Sequence, residues 1–86
     1  MIDWEYIRGH ISGHRVLEVE EGVKVRRMIY PLTNSENSQE AHAAEAFVNC
    51  MIAWERFRIE NNESALPAAR DQLLKSFNKL EALNAN

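Results

Sequence analysis

The clearest pattern along the chain lies between about residues 36 and 60, a stretch with no proline or glycine. Its apolar residues recur at helical spacing and, at 100° per residue, cover more than half of the circumference. Phe47, Met51, Trp54, Ala43 and Ala44 form the middle of that arc. Cys50 and Phe57 lie on one flank, and Val48, Ile52 and Ile59 on the other. Only Glu45, Asn49, Arg56 and Glu60 make a polar strip. A helix wetted along so narrow a stripe needs neighbours on two sides. Thr33 with Glu36 fits a capping box at its start, with Ser35 or Asn37 as alternative caps.

Asn61-Asn62-Glu63-Ser64 breaks the helix, and a further helix is expected from near Ser64–Pro67, where a first-turn proline is tolerated. Leu66, Leu73 and Leu80 recur every seven residues, with Ala69, Phe77 and Leu83 on the same face. The short connection predicts an antiparallel pair.

The first third reads differently. Asp3 as a cap and the shared face of Trp4, Ile7 and Ile11 favour a short helix over residues 3–11, against the cost of Gly9, about 1 kcal/mol relative to alanine. Residues 15–19 and 23–30 alternate apolar and polar around Glu20-Glu21-Gly22, which predicts a β-hairpin. A three-residue loop with left-handed Gly22 pairs Val19 with Val23 and Leu17 with Val25, and sets Glu18 opposite Lys24. Pro31 ends the second strand. The expected fold is α+β: one domain over residues 1–86, with a β-hairpin region (1–32), opened by the short helix, packed on an antiparallel helical hairpin (33–86).

A chain of 86 residues buries a modest share of its surface and gains from an added source of stability. Cys50 is the single cysteine, which excludes an internal disulfide and a zinc ribbon and suits a reducing compartment. That leaves self-association. The expected seam is Phe47, Val48, Met51, Ile52, Trp54, Glu55, Arg58 and Ile59. Glu55 and Arg58 fall inside the apolar arc three residues apart, as an ion pair fixing register or as a ligand-binding pair.

Charge adds little. Residues 1–32 carry five basic and five acidic groups, and residues 33–86 five and eight, for a net charge of −3. Arg15, Lys24, Arg26 and Arg27 form the one basic cluster, a candidate contact for nucleic acid or another partner, hemmed in by Glu18, Glu20 and Glu21. No apolar run reaches the ~20 residues of a membrane span. The first residues carry neither a basic nor an apolar leader segment, so the cytoplasm is expected.

Candidate chemistry is sparse. His10 and His14 stand four apart, the spacing of a helical zinc pair, but Ser12-Gly13 falls between them and no further ligand is near in sequence. Cys50 sits among Val48, Met51 and Ile52, a setting that disfavours the thiolate. The three glycines match no phosphate-binding loop. Neither metal nor cofactor is expected. The pattern points to a non-enzymatic interaction, regulatory or inhibitor module that self-associates and binds another protein, of the sort found among phage and mobile-element accessory proteins. Two alternatives are a nucleic-acid-binding regulator using the basic hairpin and a small-ligand binder with a site between subunits.

Overall fold

The computed structural model of the chain describes residues 2–12 and 19–84. They form four α-helices and one 3-10 turn: α1 (Trp4–Ser12), α2 (Val19–Ile29), the turn Tyr30–Asn34, α3 (Ser38–Ile59) and α4 (Leu66–Asn84). There is no strand among the described residues, so the fold is all-α and the α+β expectation is corrected.

The short first helix forms as its sequence predicts. The Asp3 carboxylate accepts the Tyr6 N–H at 3.0 Å, satisfying one of the free donors of the first turn. Ile7 and Ile11, one turn apart, are fully buried.

The hairpin does not form. Val19 to Ile29 is helix, so the expected strand pairing of Val19 with Val23 is lost, and residues 15–18, Leu17 among them, lie outside the described residues. Two of its apolar residues, Val25 and Ile29, are spaced one helical turn apart and both are fully buried. Glu20 and Glu21 occupy the first turn and Arg26 and Arg27 the last, the distribution that the helix dipole favours. Gly22 has no left-handed backbone and lies inside the helix. Pro31 stands in the first turn of the 3-10 segment, where its missing N–H costs nothing.

Asn37 caps α3, its side chain accepting the N–H groups of Gln39 at 3.0 Å and Glu40 at 3.3 Å. Thr33 instead turns its hydroxyl to the Tyr30 carbonyl. The other end of α3 closes in a Schellman motif. Asn61 takes the left-handed conformation (φ 54°), the Asn62 N–H donates to the Phe57 carbonyl and the Asn61 N–H to that of Arg58. Asn62 then starts α4, its Oδ1 accepting the Ala65 N–H at 3.3 Å. The two long helices pack side by side over Phe47, Met51, Leu73, Phe77 and Leu80, all fully buried.

The first third of the chain clasps this pair. α1 leans on α4, while α2 and the 3-10 turn lean on α3. Phe77 is the common centre, with ring centroids 5.8 Å from Trp4 and 5.9 Å from Phe47. Arg8 lies over the Phe77 ring and pairs with Glu81. The middle of the broad apolar arc of α3 is therefore covered within one chain. No helix among the described residues is long and apolar enough to cross a membrane.

Candidate functional site

Self-burial of the α3 arc redistributes the residues expected at a subunit seam. Phe47, Met51, Val48 and Trp54 belong to the chain's own core, with Val48 and Trp54 only 5% and 6% exposed. Ile52 and Ile59 remain in solvent, at 45% and 73%. Glu55 faces α2, where Arg26 donates to its Oε2. Arg58 stacks over the Trp54 ring, its guanidinium 5.0 Å from the centroid. Glu55 thus takes its cation from 29 residues away rather than from Arg58.

Gly22 explains how that charge pair is accommodated. A methyl group at this position would overlap Glu55 Oε1, so the missing side chain lets α2 cross α3 directly over the carboxylate. Oε1 is buried with no hydrogen-bond partner among the described residues, and the Arg26 bond carries the charge. The pair holds two helices together.

The basic cluster is split, with Arg26 turned to α3 and Lys24 and Arg27 lining one hollow of α2. Arg26 points inward to Glu55, Lys24 sits 4.6 Å over the Tyr6 ring, and Arg27 is exposed beside Glu20 and Val23. Arg15 lies outside the described residues. Lys24 and Arg27 stay exposed along one side of α2, with Glu20 in the same hollow.

Other chemical candidates do not converge either. His10 is 9% exposed, packed 4.2 Å from the Tyr6 ring, with Nδ1 3.4 Å from Glu21 Oε2. His14, its expected partner, lies outside the described residues. His42 and Cys50 share a face of α3 but stand eight residues apart, roughly 12 Å along the helix, too far for a base to reach the thiol. Among the described residues no three His, Cys, Asp or Glu side chains are grouped as a metal would require.

What the fold does build is a seam along the outer side of α3 and α4, opposite the clasp. At the turn end lies an apolar groove of 480 Å³, walled by Cys50, Ala53 and Phe57 from α3 and by Ala65, Ala68 and Ala69 beside α4. Asn49 and Gln72 are its polar rim. The groove runs on into a second hollow of 420 Å³, where His42, Ala46, Lys75, Ser76 and Lys79 replace the apolar wall. Cys50 and Gln72 line both and mark the middle of the seam.

The seam exists because the facing side chains are small. Alanines at 46, 53, 65, 68 and 69 cannot fill the space between two helix axes some 8–10 Å apart. Cys50 and Phe57 are visible in the sequence as one flank of the α3 arc. The alanines carried a signal too, since Ala46 and Ala53 fall on that same flank seven apart, and Ala65, Ala68 and Ala69 recur at three and four at the start of α4. Weighing apolar residues by size hid it, because alanine contributes little to an apolar arc.

No protein-family model, curated protein or solved structure matches this chain.

Proposed function

We propose that the chain is a small non-enzymatic protein-interaction module of the cytoplasm, and that its working surface is the α3–α4 seam. One observation carries this reading: the groove at the turn end exposes a concave, nearly continuous apolar wall, while the large core side chains are already buried elsewhere. Apolar concavity framed by a polar rim is what a helix or an extended segment of another chain uses as a hydrophobic anchor site. The separation of His42 from Cys50 supports the non-enzymatic half of the reading. A lone thiol fits a reducing cytoplasm.

The test is site-specific photo-crosslinking in extracts of the native host. A photoreactive residue at Ala53, inside the groove, is expected to give a discrete protein adduct. The same residue at Arg56, on the wet side of α3, is expected to give none. Equal labelling at the two positions, or no adduct at Ala53, overturns the proposal.

A further inference from the structure

We infer that the seam's occupant is a second copy of this chain, docked antiparallel across a two-fold axis at Cys50 and Gln72. This rests on the reading of the seam as an interaction surface and names its partner. The first argument is spacing. Among the residues lining the seam, one row runs along α3 through Ala46, Cys50, Ala53 and Phe57, continued in phase by Glu60 just past its end, and another through Ala65, just before α4, to Ala68, Gln72, Lys75 and Lys79. Both sets alternate steps of three and four, the repeat by which one pair of helices packs along another. Small residues at these positions permit close approach of the backbones.

The second argument is charge. The two ends of the seam differ in sign. Lys75 and Lys79 line the hollow at one end. At the other, Glu60 continues the phase of Ala53 and Phe57, and exposed Glu63 follows in the turn. Lys79, Glu60 and Glu63 have no ion-pair partner among the described residues, and Lys75 pairs with Asp71 on the outer face at 3.0 Å. A two-fold contact requires that each patch meet its own complement on the partner. Antiparallel docking meets that condition: the cationic end of one copy lies over the anionic end of the other, twice. Parallel docking sets like against like. Because Cys50 and Gln72 belong to both halves of the seam, the axis passes beside them and each Cys50 faces that of the partner subunit.

The full chain at micromolar concentration in sedimentation equilibrium is expected to show twice its 9.9 kDa mass. Lys79→Glu and Glu60→Lys should each weaken the dimer about tenfold or more by creating like-charge contacts. Both changes in one chain should restore it, since the new pair is complementary again. Ala53→Arg, at an exposed position, should give a monomer with unchanged helical circular dichroism. A short bismaleimide should link Cys50 to the partner's Cys50 in the unaltered chain and not in Ala53→Arg. A monomer throughout, a dimer indifferent to Ala53→Arg, or a charge reversal that its reciprocal fails to rescue would overturn the inference. A monomer that still gives the Ala53 photo-adduct with a different protein defeats the second copy and leaves the interaction reading standing. A monomer with no adduct defeats both.

Discussion

Gly9 and Gly22 both lie inside helices, in opposite surroundings. A methyl at Gly9 would meet nothing within 4 Å, so Gly9→Ala should raise stability by about 0.5–1 kcal/mol in urea denaturation. At Gly22 the same change drives a methyl into Glu55 Oε1, which is held in place by Arg26. Gly22→Ala should therefore forfeit that gain and lose about 1 kcal/mol instead. In a Glu55→Ala background the obstacle is gone, and Gly22→Ala should become stabilising. A double-mutant cycle with no coupling would refute the crossing described here. In the sequence, Glu55 stands out as a charge within an apolar arc, but its partner does not. The candidate at hand was Arg58, three residues on, and sequence spacing carries no information about a cation brought in by a different helix.

The helical hairpin was legible because its signals agree: a long period-3.6 pattern, a proline in a first turn, and an Asn-rich break. The segment Val19–Ile29 was misread because its residues satisfy two periods at once. Leu17 with Val19 and Val23 with Val25 alternate with charged residues at a spacing of two, while Val19 with Val23, Val25 with Ile29 and Glu20 with Lys24 repeat at four. Gly22 then looks like the tip of a turn. The intrinsic preference of valine against helix is at most about 0.7 kcal/mol per residue, which burial of Val25 and Ile29 against α3 outweighs. Carbon chemical shifts of residues 19–29 should be helical, and slow-exchanging amides should bond four residues back; a cross-strand pattern would restore the hairpin. The turn between α3 and α4 offers a second check at this scale. Asn61 is left-handed, so Asn61→Gly should be neutral or mildly stabilising, whereas Asn61→Val should cost about 1–2 kcal/mol in thermal or chemical denaturation.

Across the whole molecule, α3 is covered by α4 and, from the chain's own first third, by α2 and the 3-10 turn, while Ile52 and Ile59 stay in solvent. The wide arc was read as a subunit seam, but a count of apolar positions cannot say whether a residue is covered by the same chain or another, and Phe47, Val48, Met51 and Trp54 are covered by their own. Phe77 joins α1, α3 and α4, so Phe77→Ala should cost about 3–5 kcal/mol and release α1 before α3 and α4 separate. Hydrogen exchange reads both parts: Ile7 and Ile11 should lose protection first, and uniform loss would contradict the clasp. The clasp also has a consequence for synthesis. Arg8 meets Glu81, 73 positions further along the sequence, and α1 has its resting place on α4. While the polypeptide is still emerging, Trp4, Ile7 and Ile11 have nothing to cover them. α1 is thus translated well before the helix it rests on, and its apolar face must stay out of non-native contacts until α4 has emerged from the ribosome.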